Sequence, residues 1–185
     1  MSLLKVARMG HPVLRKRARA LDPVEVRGAA FQKLIDDMVD TMIEYEGVGL
    51  AAPQVHEGTR LFVAALEGEG GRMEVLPFVN PVVTPLADDK VDDWEGCLSI
   101  PDIRGRVPRF RKVRIAALDR KGRPFELELE DYAARVVQHE TDHLDGVLFF
   151  DRMTSFESLT FLEEFGRYHR RRAADGDEDD EEEQE

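Results

Sequence analysis

Residues 138–146 read Gln-His-Glu-Thr-Asp-His-Leu-Asp-Gly, and the chain is organised around them. His139 and His143 are four residues apart, so in a helix both imidazoles leave one face about 6 Å apart along the axis. Glu140 lies about 100° further round and can reach a water on a metal held by both histidines. The segment therefore predicts a helix with a hydrolytic metal site. The alternative interpretation is a solvated helix face.

Length and charge indicate one globular domain with an acidic end. We expect a catalytic domain over residues 1–172 and a disordered acidic tail at 173–185. Nine of the 38 acidic residues lie in 175–185, so 29 acidic residues remain against 26 basic ones. This near balance provides no excess of positive charge for phosphates, and we expect no direct nucleic-acid binding.

Hydropathy predicts a cytoplasmic protein that does not enter a membrane. No apolar run approaches the roughly 18 residues of a membrane span, and the N-terminus lacks the apolar centre of a secretory signal. The first 21 residues contain no acid, as in transit peptides, but residues 10–14 (Gly-His-Pro-Val-Leu) indicate the start of folded chain. Cys97 is the single cysteine, so no internal disulfide can form.

Periodicity separates helices from strands. Asp22 suits a helix N-cap, residues 31–43 repeat apolar side chains every three or four positions, and Gly47 is the expected helix end. Thr154 and Glu157 match a capping box. That box predicts a last helix with three apolar residues, Leu159, Leu162 and Phe165.

Four short segments between the helices have strand character, namely 61–66, 75–83, 113–118 and 125–129. Turn residues occur at 68–71, 80–81 and 121–122. We therefore predict an α+β fold: antiparallel β-sheets around a central helix that carries the HExxH motif, with an N-terminal and a C-terminal helix.

Two further segments are candidates for the site. Residues 47–54 (Gly-Val-Gly-Leu-Ala-Ala-Pro-Gln) form either a tightly packed turn or a close backbone approach to another chain segment or to a substrate. In a site, Gln54 could donate a hydrogen bond. Cys97 is, by residue type, a buried apolar side chain, but its thiolate could also reach a metal through the fold. Since 42 residues separate it from His139, no local metal-finger spacing applies.

Three segments together resemble, in order and spacing, the signature motifs of the peptide deformylases. They are 47–54, 95–99 (Glu-Gly-Cys-Leu-Ser) and 138–146, and the resemblance covers about residues 3–165. It implies hydrolytic removal of the formyl group from the N-terminal methionine of new polypeptides, with release of formate. The implied partners are N-formylmethionyl nascent polypeptides at the ribosome.

The resemblance also implies a metal site. Its ligands would be Cys97, His139 and His143, which leave a fourth position for water, and Glu140 would carry that water's proton to the leaving amine. Thiolate and imidazole ligands suit zinc. Bacterial enzymes similar to this sequence commonly use ferrous iron, so we expect Fe²⁺ in the cell, with Zn²⁺ or Ni²⁺ as substitutes.

Further roles follow from the same resemblance. Gln54 and the backbone N–H of Leu98 would meet the negative charge that develops on the carbonyl oxygen. Val48 and Gly49 would line the substrate groove, and Arg104 is either a substrate-side residue or a surface arginine.

Two other functions are open at this point. The HExxH motif also marks metalloproteases, whose third ligand is normally His or Glu, so Cys97 discriminates between the two enzyme classes. A non-catalytic binding protein on the same fold would be expected to carry damaged motifs, and no motif is damaged.

Overall fold

Helix α3 (Asp131–Leu144) holds the histidine motif at the centre of the fold. The structure is a computed structural model that describes residues 2–169, so the predicted acidic tail at 173–185 lies outside the described residues. The other helices in this range are α1 (Pro23–Val26), α2 (Ala29–Glu44) and α4 (Leu162–Tyr168). The strands are β1 (Gly49–Ala51), β2 (Leu61–Glu67), β3 (Met73–Pro85), β4 (Lys90–Cys97), β5 (Ile100–Phe110), β6 (Lys112–Leu118), β7 (Pro124–Glu130) and β8 (Thr160–Phe161).

The strands form two sheets in which every neighbouring pair is antiparallel. The first sheet has the order β1-β2-β3-β6-β7 and the second the order β4-β5-β8. Helix α3 contacts all five strands of the first sheet and β5 of the second. The predicted α+β fold, with antiparallel sheets around the motif helix, is confirmed. Among residues 2–169, no helix has the length and apolar character needed to cross a membrane.

Strand β2 is buried on both faces, which explains its continuous apolar sequence. Phe62 packs in the cluster shared with α3, whereas Leu61 and Val63 pack in the cluster shared with α2. Successive strand residues point to opposite faces, so one strand serves both helices. Phe62 stacks on Phe78 of β3 with 4.7 Å between ring centroids.

Helix α3 presents different faces to the two sheets. Val137 and Leu144 are fully buried in the cluster of the first sheet. His139 and His143 lie about 200° and 240° round the helix from Val137, so they point away from that cluster. Gly146 follows the helix with φ +75°, a conformation that favours glycine at a helix end.

The prediction of a single N-terminal helix was wrong. Asp22 caps the short helix α1, and Gly28, with extended dihedral angles, separates α1 from α2. The left-handed residue after α2 is Glu46 (φ 54°), not Gly47. Gly47 instead allows close packing, because a Cβ there would lie 2.9 Å from a methyl group of Leu98.

The predicted C-terminal capping box was also wrong. The Glu157 N–H donates to the Ser155 hydroxyl at 3.1 Å in a turn, and no helix begins at Thr154. The chain first adds β8 to β5, so α4 starts at Leu162 and excludes Leu159. The free backbone edge of β5 supplies hydrogen-bond partners that the local sequence pattern does not reveal.

The four predicted strands are present with slightly longer bounds, and residues 80–81 form a bulge inside β3 instead of a turn between strands. The hairpin of β4 and β5 was missed. Its inward positions include the charged residues Glu95 and Arg109, which interrupt the apolar alternation expected of a strand.

Replacing Phe78 by alanine should lower the free energy of unfolding by about 3–5 kcal/mol, because it leaves a cavity where the ring stacks on Phe62. The measurement is urea unfolding followed by circular dichroism. Phe156→Ala is the matched control, since this ring is 68% exposed and its loss should change stability by less than about 0.5 kcal/mol. Equal losses for the two variants would contradict the core assignment.

Candidate metal centre

Two elements bring three metal-binding side chains together. Cys97 ends β4, and His139 and His143 lie on α3. One ligand atom from each residue lies within 4.8 Å of the other two, and all three residues are buried. The Cys97 Sγ is 3.2 Å from His143 Nε2. The fold therefore brings Cys97 close to both histidines, as the resemblance implied.

The donor atoms of this cluster suit a divalent cation. Burial alone would raise the pKa of the Cys97 thiol, but His143 and His139 hold that pKa well below its usual value. Burial would lower the pKa of His139, yet Cys97 and Glu95 raise it well above normal, so a bound cation would have to displace the proton of this imidazolium. A thiolate and two imidazoles in one buried cluster are a donor set that zinc and related divalent metals accept, so these residues fit such an ion.

A buried carboxylate orients one of the two histidines. His139 Nδ1 lies 2.8 Å from Glu95 Oε2, which leaves the other ring nitrogen for the ligand cluster. Arg109 donates to both oxygens of Glu95, at 2.8 and 3.0 Å, and Arg135 donates to Oε1 at 2.8 Å. Burial would raise the pKa of Glu95, but His139 and Arg109 hold it well below its ordinary value, so the carboxylate is ionised.

The same network continues along α3. Arg109 also donates to Asp142 at 2.5 Å, and Arg152 donates to the other Asp142 oxygen at 2.6 Å. Arg135 donates to the backbone carbonyls of Val91 in β4 and Val107 in β5, each at 2.7 Å. These contacts join the motif helix to both strands of the hairpin that carries the cysteine.

Glu95 lies within the motif at residues 95–99 but had no role predicted from the sequence, and the roles of Arg109 and Arg135 were not predicted. Two signals were available. Arg109 follows Val107 at the inward period of a strand, and Arg135 precedes His139 by four residues on one helix face. A basic residue at such a position requires a buried acidic partner.

Gln54 is fixed in a 3-10 turn (Ala52–Val55) that follows β1. Its Oε1 accepts the Ala51 N–H at 2.8 Å, so its Nε2 points the other way. That nitrogen donates to the Ser99 hydroxyl at 3.2 Å and lies 3.5 Å from Cys97 Sγ. An amide donor is thus held beside the metal-binding cluster.

Glu140 is buried beside the same cluster. Its Oε2 has no hydrogen-bond partner among residues 2–169. Burial raises its pKa to about 7, although His139 and His143 act in the opposite direction. A Cβ on Gly49 would lie 2.4 Å from Glu140 Oε1, so the absent side chain at this position is what admits the carboxylate. The small residue at position 49 therefore permits close packing against another segment of the chain, and the approach of residues 47–54 to a substrate stays a prediction.

A cleft of about 620 Å³ opens onto the cluster. Among its lining residues are those that the sequence assigned to the substrate or to the carbonyl oxygen, namely Val48, Gly49, Gln54, Leu98 and Arg104. Cys97, His139 and Glu140 also line it, so metal-binding and substrate-side candidates share one cavity.

Comparison with known proteins agrees with this geometry. A model of the polypeptide deformylase family matches residues 3–158. The chain belongs to this family. It is 48% identical over 153 residues to a peptide deformylase from Heliobacterium modesticaldum. The aligned region covers 83% of this chain and 95% of the relative.

Solved structures of family members have the same fold. A class I type b peptide deformylase from Acinetobacter baumannii, crystallised with Met-Ala-Ser bound, superposes with a TM-score of 0.77 at 35% identity, covering 82% of this chain and 99% of that one. A peptide deformylase from Thermotoga maritima gives a TM-score of 0.76 at 38% identity, covering 84% and 100%.

The expected family is confirmed, and with it an enzyme that removes the formyl group from an N-terminal methionine. The metalloprotease and binding-protein alternatives are therefore set aside.

Arg109→Met should lower the free energy of unfolding by about 3–5 kcal/mol, because it leaves the buried carboxylates of Glu95 and Asp142 with fewer positive partners. Arg114→Met is the matched control, since Arg114 pairs with Glu128 where both side chains are half exposed. That exposed pair should contribute less than about 1 kcal/mol. Urea unfolding measures the free energy of unfolding of both variants. Similar decreases in the two variants would show that the buried network does not stabilise the fold more than the exposed pair does.

Gly49→Ala should reduce kcat by about 10²-fold, because the added methyl group displaces the Glu140 carboxylate from its position. Formate release from a formyl-methionyl peptide provides the measurement. Gly58→Ala is the control, since a Cβ there has no neighbour within 4 Å. An unchanged kcat in Gly49→Ala would contradict the steric argument.

Proposed function

We propose that this chain hydrolyses the formyl group of N-formylmethionyl polypeptides with a divalent metal held by Cys97, His139 and His143. The supporting observation is the grouping of three buried ligand atoms within 4.8 Å beside the cleft that contains Glu140. When bound, such a metal supplies Lewis acidity, which polarises a carbonyl group and lowers the pKa of water.

Glu140 moves the protons in this proposal. Its carboxylate takes a proton from the attacking water and delivers it to the nitrogen as the carbon–nitrogen bond breaks, which yields formate and a free α-amino group. Burial raises the pKa of this carboxyl group, which favours both acceptance and release of a proton near neutral pH. Its burial keeps the transferred proton away from bulk water.

Two donors would stabilise the negative charge that develops on the formyl oxygen. They are the Gln54 amide and the backbone N–H of Leu98. The bond between Gln54 Oε1 and the Ala51 N–H sets the direction of the amide before substrate arrives, so no reorientation is required during the reaction. Val48, Gly49 and Arg104, which all line the cleft, would contact the substrate.

We infer that Fe²⁺ is the metal in the cell and that Zn²⁺ or Ni²⁺ can replace it, since one thiolate and two imidazoles accept all three ions. The substrates would be nascent polypeptides at the ribosome in the cytoplasm. The Acinetobacter baumannii relative supports a peptide ligand, because it was crystallised with Met-Ala-Ser. Residues 1–172 would suffice for the reaction without the acidic segment 173–185.

Metal-loaded, anaerobically prepared protein should release formate from formyl-Met-Ala-Ser, and a chelator should abolish the release. Glu140→Ala should lower kcat by about 10²- to 10⁴-fold while elemental analysis finds the metal content unchanged, because Glu140 is not a proposed ligand. Glu126→Ala, at an exposed position on β7, is the control and should retain full activity. Retained turnover in Glu140→Ala would refute the role proposed for this carboxylate.

A further inference from the structure

Ser99 ends the motif at residues 95–99, and no step of the proposed reaction uses its side chain. This polar residue is fully buried. Its hydroxyl oxygen accepts a hydrogen bond from Gln54 Nε2 at 3.2 Å, across 45 residues of chain. Burial of a hydroxyl group is unfavourable unless the group is hydrogen-bonded, so the Gln54 amide is the partner that permits a serine here.

The Gln54 amide is held at both of its polar atoms. Its Oε1 accepts the Ala51 N–H at 2.8 Å, and its Nε2 donates one of two hydrogens to Ser99. The bond at Oε1 alone would let the amide turn about that contact, whereas bonds at both ends fix its plane. The second Nε2 hydrogen is then directed to the metal-binding cluster, where Nε2 lies 3.5 Å from Cys97 Sγ.

The backbones that carry these two side chains are also tied together. The Ala7 N–H donates to the Gln54 carbonyl at 2.7 Å, and the Met9 N–H donates to the Ser99 carbonyl at 2.8 Å. Ala7 is itself buried. The segment from Ala7 to Met9 therefore limits how far the Ser99 hydroxyl can move away from the amide.

The position of Ser99 decides what kind of role its hydroxyl can have. Gln54 lines the cleft, whereas Ser99 does not. A buried side chain outside the cavity lining has no contact with a substrate and can influence it only through a neighbour. Its effect on the reaction would therefore pass through the Gln54 amide.

We propose that Ser99 is a positioning residue for the reaction, because its hydroxyl keeps the Gln54 amide directed at the formyl oxygen. The inference rests on the proposed function, since it requires Gln54 to meet the charge that develops on that oxygen. This charge is greater in the transition state than in the bound substrate. Loss of the Ser99 hydroxyl should therefore lower kcat and leave KM unaltered.

The test measures formate release from formyl-Met-Ala-Ser by the full metal-loaded chain and its variants. Ser99→Ala should lower kcat about three- to tenfold, because the amide remains but loses one of its two anchors. Gln54→Ala should lower kcat about 10²- to 10³-fold, since it removes the donor itself. Adding Ser99→Ala to Gln54→Ala should lower kcat by less than about twofold further, because the amide that Ser99 positions is already absent.

Thr41→Val is the matched control, because it removes another fully buried hydroxyl. The Thr41 hydroxyl donates to the Asp37 carbonyl at 2.6 Å and accepts the Leu4 N–H at 2.9 Å, and Thr41 does not line the cleft. Its loss should lower the free energy of unfolding and leave kcat unchanged. Urea unfolding and elemental analysis check that each variant is folded and holds its metal.

Equal falls in kcat when Ser99→Ala enters the unmodified chain and the Gln54→Ala chain would overturn the proposal, because Ser99 would then act independently of the amide. An unchanged kcat in Ser99→Ala would overturn it too. So would failure of Ser99→Ala to fold, since the hydroxyl would then serve the fold alone. Failure of the proposed function gives a different result, in which the unmodified chain itself releases no formate.

Discussion

The ionised carboxylate of Glu95 is the constraint on which the site depends. It is buried in the β4–β5 hairpin and bound by two arginines and a histidine, and these partners come from both the hairpin and helix α3. A buried charge is tolerated only when its partners are correctly placed, so the network permits very few relative positions of the two elements. Cys97 lies two residues after Glu95, and His139 is one of the groups that contact Glu95. The ion pairs that position the hairpin against α3 therefore also position the proposed metal ligands.

Small residues allow the reactive groups to lie close together on this rigid base. Gly49 leaves room for Glu140, and the backbone of β1 beside it orients Gln54 through the Ala51 N–H. The β2 strand that supports β1 is buried on both faces, so movement of β1 would disturb two apolar clusters. Rigid packing on one side of the cleft and paired charges on the other hold the donors in place before a substrate binds, which is the property that electrostatic catalysis requires.

The parts of the fold that could be predicted are those in which local pattern and tertiary environment agree. The motif helix, α2 and the strands of the first sheet have regular apolar periods, because each buries an apolar face. The hairpin was missed because Glu95 and Arg109 occupy inward positions in it. From sequence alone a charged residue is predicted to be exposed, unless its buried partner is known. The start of α4 was misplaced because residues 160–161 pair with the edge of β5. The sequence of these two residues gives no sign that a free strand edge lies beside them.

The amino-acid sequence by itself determined the chemical inventory: two histidines at helical spacing, a glutamate between them, one cysteine, and three motifs that identify the family. It could do so because residue types and short spacings are local properties. Only the tertiary structure decided that Cys97 meets His139 across 42 residues, that Glu95 orients that histidine, and that Leu162 borders the cleft. These contacts join elements that are distant in the chain. Their geometry depends on the pairing of buried charges and the packing of apolar surfaces, which are set only when the whole chain folds.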